Sequence, residues 1–140
     1  MKRTANAHWN GTLKEGKGEI STQSTVLNET QYAFGSRFAE GIGTNPEELL
    51  GASHAGCFTM ALSAALGQEG YTAGDLHTKA TVELDTNSLS ISNISLDLKA
   101  SPIEGLSEEE FVKIATSAKE NCPISKALSA TPISLNISYQ

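Results

Sequence analysis

An α+β fold with the element order βββ-α-ββ-αα-β, in one domain covering residues 1–140, is predicted by three features of the sequence. Short alternating apolar segments crowd residues 5–40. A single long run, apolar on nearly every face, occupies the middle. The second half brings another alternating pair, then amphipathic segments and a last alternating one, with no regular strand-helix repetition.

From Ala5 to Glu40, Ala7, Trp9, Tyr32, Phe34 and Phe38 stand among polar residues. Turn chemistry falls at Asn10-Gly11 and at Glu15-Gly16-Lys17-Gly18, so three antiparallel strands are expected. Gly41 to Thr44 reads as a loop. Asn45 is a capping residue, Pro46 suits a first turn and Glu48 lies three residues after the cap, which predicts a helix from Pro46 to about Gln68. Leu49, Leu50, Phe58, Met60, Leu62 and Leu66, with alanines between, leave it few polar faces, as in a central helix buried on most sides.

Gly70 to Gly74 break that helix. Two β segments follow, Leu76–Leu84 and Ser88–Lys99, the second alternating through Leu89, Ile91, Ile94, Leu96 and Leu98. Ser107-Glu108-Glu109-Glu110 is a capping box ahead of Phe111, Val112, Ile114, Ala115 and Ala118, predicting an amphipathic helix that ends near Asn121. Cys122-Pro123 restarts a short helix, and Pro132–Tyr139 alternates as a final strand. The expected sheets are antiparallel. One 140-residue chain covers so apolar a helix poorly, so an interwoven homodimer whose sheets enclose the central helices is expected.

With 39% apolar and 19% charged residues, the composition excludes disorder and coiled coil. Ten Lys and Arg face sixteen Asp and Glu, a formal charge of -6, with no basic stripe, so a nucleic-acid partner is not expected. Met1 to Asn6 lead into no apolar run, and Cys57–Leu66 is about half a bilayer span, so neither a signal peptide nor a membrane segment is expected. The compartment expected is the reducing cytoplasm, where two cysteines are each either inert core thiols or reactive ones.

Burial preference alone reads Cys57, in Ser53-His54-Ala55-Gly56-Cys57-Phe58, as a packed thiol. Cys122, in Asn121-Cys122-Pro123, stands at the N-terminus of a short helix, where the helix dipole favours a thiolate. The two lie 65 positions apart, which is neither a Cys-x-x-Cys pair nor a zinc pattern. His54 shares a helix face with Cys57 and reads as a packing histidine, since His8 and His77 offer no ligand spacing and no metal is expected. Haem and nucleotide motifs are absent, so no cofactor is expected. Arg37 reads as a solvated strand residue and Glu47 as a helix-start acid favouring the dipole.

Four blocks in order carry a resemblance: Tyr32-Ala33-Phe34-Gly35-Ser36-Arg37-Phe38, then Gly43-Thr44-Asn45-Pro46-Glu47-Glu48-Leu49, then His54 to Ser63, then Asn121-Cys122-Pro123-Ile124-Ser125. Together with Ala7-His8-Trp9-Asn10-Gly11 and Gly16-Lys17-Gly18, they resemble the osmotically inducible protein C branch of the hydroperoxide-reducing family over nearly the whole chain. Gly56 departs from the alanine usual before the cysteine.

The resemblance implies a cofactor-free thiol peroxidase that reduces organic hydroperoxides, and hydrogen peroxide less well. It implies Cys57 as the attacking thiol, Cys122 as the resolving thiol, Arg37 as the cation beside the thiolate and Glu47 as the carboxylate orienting Arg37. An ordinary thiol is only a few per cent ionised at neutral pH, and an arginine that cannot lose its proton corrects that. The implied reductant is a dithiol, including lipoyl groups on a partner protein. Glu48 substitutes poorly for Glu47 because it already belongs to the capping box. Phe34, Phe38, Phe58 and Met60 read mainly as core, with some available to line a peroxide pocket. Ten residues of straight helix put Glu47 and Cys57 about 15 Å apart. Arg37 therefore serves both only if the helix breaks near Gly51-Ala52-Ser53 or if one group comes from a partner chain. Two other readings are a non-catalytic protein holding a lipid-like ligand in a dimer cleft, and a thiol redox sensor.

Overall fold

The alternating N-terminal segments pair as a meander. In the computed structural model, which describes residues 1–140, β1 (Ala5–Asn10), β2 (Lys17–Thr22) and β3 (Thr30–Tyr32) form one antiparallel sheet in that order. Gly18 pairs with both Trp9 and Tyr32, and a side chain there would overlap their rings. Its absence lets the two aromatics close over the strand, with centroids 5.4 Å apart.

Phe34 and Phe38, expected in a strand, lie instead in a short helix, α1 (Phe34–Phe38). Local hydrogen bonds outweigh the alternating pattern. The Ser36 hydroxyl accepts from the Ala33 N–H at 2.9 Å and donates to the Thr44 carbonyl at 2.8 Å. The turn after α1 needs glycine at 41, because a Cβ there would sit 2.6 Å from the Gly35 carbonyl carbon.

The chain divides into two compact units, Met1–Leu49 and Leu50–Gln140. Helix α2 (Pro46–Gln68) starts at the end of the first and continues through the second. Asn45 caps it as expected, its Oδ1 accepting the Glu48 N–H at 2.8 Å. There is no break at Gly51–Ser53. Within this chain one stripe of the helix is buried, Gly51, His54, Phe58, Leu62 and Leu66, at helical spacing, in line with the expectation that one chain covers it poorly. Met60, on another face, is 76% exposed. Small residues, Ala52, Gly56, Ala64 and Gly67, made the rest look apolar without being covered. By length and composition the whole helix would span a bilayer, which the shorter Cys57–Leu66 run concealed. Phe58, Leu62 and Leu66 are nonetheless sealed in a protein core.

That core fills the second unit. Strands β4 (Leu76–Asp85), β5 (Ser90–Ala100) and β6 (Ile133–Tyr139) form a sheet in that order, and α3 (Glu108–Asn121) and α4 (Pro123–Ala127) connect β5 to β6. The pairing of β4 with β5 is the expected antiparallel hairpin, but β5 and β6 run parallel. The crossover through α3 and α4 returns the chain to the starting end of the sheet, so one strand-helix-strand unit is present where none was expected. Ile94, Leu96, Leu98 and Ala100, on one face of β5, meet the α2 stripe and Phe111, Ala115 and Ala118 of α3. Each large side chain buried there contributes roughly 1.5–3 kcal/mol. Ser107 caps α3 through the capping box read in the sequence.

Candidate active site

In the first unit, α1 presents Arg37 in its last turn and α2 presents Glu47 in its first. The Asn45 side chain donates to the Ser36 carbonyl at 3.0 Å and ties the two helix ends together. Arg37 then grips Glu47 with two nitrogens: Nη2 donates to Oε1 at 2.8 Å and Nε to the same oxygen at 3.1 Å. The arginine side chain remains 40% exposed while the carboxylate is only 13% exposed, so the cation is fixed yet presents a free side. Glu48 is engaged elsewhere, accepting from the Thr44 hydroxyl. Beside Arg37 opens a cleft of about 260 Å³ lined mostly by Trp9, Leu13, Tyr32, Phe34 and Phe38. The guanidinium also lies over the Phe38 ring, 5.3 Å from its centre.

The second unit holds both sulfurs. Cys57 flanks the buried stripe of α2 and is partly exposed, while Cys122 is fully buried. Pro123 explains the position of Cys122: the residue before proline is pushed into extended geometry, so Cys122 ends α3 and starts α4. Its N–H donates to the Ala118 carbonyl at 2.9 Å and its carbonyl accepts from Lys126 at 3.0 Å, which fixes the backbone on both sides. The two Sγ atoms lie 2.8 Å apart, longer than the roughly 2.05 Å of a disulfide bond. Both cysteines are free.

The two thiols are hydrogen-bonded to one another. Burial pushes the Cys57 thiol up, and bonding to Cys122 adds to this. Burial also opposes ionisation of Cys122, but its hydrogen-bonded contact with Cys57, followed by the Ser125 and Ile124 groups at the start of α4, outweighs it and brings Cys122 down. Within Leu50–Gln140 the buried Cys122 is therefore the more acidic of the two thiols. That unit contains no arginine; the chain has two, Arg3 and Arg37, both in the first unit.

His54 is buried, Nε2 is 2.8 Å from the Ser125 hydroxyl and Nδ1 has no partner. The packing histidine expected from the sequence is therefore only half satisfied. Burial lowers its pKa and keeps it neutral. Ser125 drew no separate reading from the sequence, although its spacing from Cys122 repeats that of His54 from Cys57. Of the expected pocket residues, Phe58 is core, Met60 is exposed, and Phe34 and Phe38 line the cleft beside Arg37.

Residues 39–138 match the family described as OsmC-like protein. The chain is 42% identical to the protein named Peroxiredoxin OsmC of Escherichia coli, covering 100% of this chain and 96% of that one. It is 31% identical to an organic hydroperoxide resistance protein-like 1 of Staphylococcus epidermidis, over 79% of each. The crystal structure of an organic hydroperoxide resistance protein OsmC from Legionella pneumophila superposes with a TM-score of 0.68 at 26% identity, over 96% of each chain. On sequence and fold together, the chain belongs to the OsmC-like family.

Proposed function

We propose that this chain is a cytoplasmic thiol peroxidase that reduces organic hydroperoxides, and hydrogen peroxide less well, acting as a homodimer. The observation that carries the reading is the sulfur pair: one sulfur is accessible, the other is sealed, and they are already 2.8 Å apart. Cys57 as the anion attacks a peroxide oxygen; the O–O bond breaks, the alkoxide leaves and takes a proton, and Cys57 becomes a sulfenic acid. Cys122 attacks that sulfur, the S–O bond breaks, water is lost and a disulfide forms. Only the Cys57 side is open to the external dithiol, such as a lipoyl group on a partner protein, that reopens it.

Arg37 decides which sulfur carries the charge. Left to itself the pair ionises at Cys122; a guanidinium beside Cys57 moves the charge to the accessible atom. The partner chain is the proposed source of this guanidinium, because the unit that holds both sulfurs contains no arginine of its own. Glu47 holds the arginine ready, and the apolar cleft beside it favours an alkyl group over water-like hydrogen peroxide. The uncovered apolar face of α2 supports a dimer.

The test is consumption of tert-butyl hydroperoxide with a dithiol supplied. Cys57→Ser is expected to abolish turnover. Cys122→Ser is expected to complete one turnover and stop at a sulfenic acid trapped by dimedone. Full activity in Cys57→Ser would refute the proposal.

A further inference from the structure

Two residues of α2 and two of α4 meet as matched rungs. His54 and Cys57 are three apart on α2, Cys122 and Ser125 three apart at the start of α4, so each pair stacks across one helical turn. One rung is Sγ to Sγ at 2.8 Å and the other is Nε2 to Oγ at 2.8 Å. Ser125 is 7% exposed and His54 fully buried, so water does not compete for the second rung.

The unpartnered nitrogen sets the direction of that bond. A neutral imidazole carries one N–H, and a buried N–H with no acceptor costs more than it would in a hydrogen bond. Nδ1 has no acceptor, so the hydrogen belongs on Nε2, donating to the Ser125 oxygen. The Ser125 hydroxyl hydrogen is then not taken by the imidazole and is free to turn towards the sulfur of Cys122, one helical turn earlier. A charged ring would leave a buried N–H alone on Nδ1, which excludes His54 as a proton acceptor here. The surrounding charges are occupied or turned outwards. On α3 and α4, Lys119 donates to the Ile133 carbonyl, and Glu120 and Lys126 are exposed; on β4, His77, Lys79 and Glu83 are exposed.

We propose that His54 and Ser125 are positioning residues for disulfide closure, forming a buried donor chain, His54 Nε2–H to Ser125 Oγ and Ser125 Oγ–H to Cys122 Sγ, that holds Cys122 as the attacking anion. The inference rests on the peroxidase reading for its place in the reaction. Once Cys57 is a sulfenic acid its thiol no longer donates to Cys122, and Ser125 with the α4 N–H groups is what remains. The Cys122 anion forms the S–S bond, the S–O bond breaks, and the departing hydroxide takes the proton that Cys122 released. The sulfenic sulfur is reduced and Cys122 is oxidised.

The experiment compares wild type with Ser125→Ala, His54→Leu and His54→Gln. One stoichiometric pulse of tert-butyl hydroperoxide is followed by timed thiol and sulfenic-acid trapping across pH. The expected result is closure about tenfold slower, with its pH midpoint about one unit higher, in Ser125→Ala and His54→Leu, while the first step is slowed in none of the variants. His54→Gln is expected to stay near wild type, because its amide N–H takes the Nε2 position. An independent readout is thiolate absorbance of Cys122 in the Cys57→Ser background, where adding Ser125→Ala is expected to raise the ionisation midpoint similarly. Unchanged closure and midpoints in Ser125→Ala and His54→Leu would overturn the inference, as would His54→Gln failing like His54→Leu or both steps slowing equally. A wild type that forms no sulfenic acid would refute the peroxidase reading instead, while the absorbance measurement would still decide the donor chain.

Discussion

The Arg37–Glu47 pair and the Cys57–Cys122 pair solve opposite problems with opposite environments. The first fixes a charge where solvent reaches it, by gripping a partly exposed guanidinium with a mostly buried carboxylate. The second brings two thiols into contact, one partly exposed and one sealed, so that each changes the acidity of the other. Each is incomplete alone. The charged pair has no nucleophile, and in the sulfur pair the more acidic thiol is the buried one. The difference is that one unit supplies a fixed cation without a thiol and the other a thiol pair without an arginine, which is why the proposed mechanism needs both.

The comparison breaks most visibly at Arg37. Arg37→Ala is expected to slow Cys57 oxidation by on the order of 100-fold, read by stopped-flow with a stoichiometric hydroperoxide, while leaving Cys122 the more acidic thiol. An unaffected rate would mean that the charge on Cys57 has another source. Glu47→Gln keeps an acceptor for Arg37 but loses the charge-assisted grip, and a smaller loss, about tenfold, is expected in the same assay.

The buried side of the comparison is sharpened by pH. His54 is neutral in the fold because burial lowers its pKa, whereas in the unfolded chain it takes up a proton near its ordinary 6.5. Below that value the unfolded state binds more protons, so this contribution to stability is complete above pH 6.5 and is lost as pH falls towards the depressed folded value. Thermal melts between about pH 7.5 and 5 should therefore fall less steeply in His54→Gln than in wild type; parallel curves would contradict it. The smallest effect is expected at Gly56, where an added Cβ meets nothing within 4 Å. Gly56→Ala is expected to stabilise by about 0.5–1 kcal/mol in chemical denaturation without changing sulfur chemistry. A loss of stability there would show that this helix face tolerates no added methyl.

Legibility in the sequence followed the range of the interaction. The caps at Asn45 and Ser107, the start at Pro123 and the alternation of β4, β5 and β6 are local, and each element falls within a residue or two of its predicted ends. The short α1 was not legible, because Ser36 makes it by bonding to Thr44, eight residues on. Nor was the parallel pairing of β6, which depends on where a crossover delivers a strand and not on its own pattern. The two cysteines are linked to one another only through a family resemblance; nothing in their spacing says that they come into contact. Ser125 shows the same limit, since a serine one turn past a buried cysteine is unremarkable until a histidine 71 positions away points at it.

The claim that the cation of one copy serves the thiol of another is tested most directly by a purified heterodimer of an Arg37→Ala chain and a Cys57→Ser chain, separated by different tags. Such a dimer holds one complete site if Arg37 and Cys57 come from different chains, and none if they must come from the same chain. The account predicts about half the wild-type peroxidase rate per dimer, with neither parent active alone. A heterodimer as inactive as its parents would contradict it.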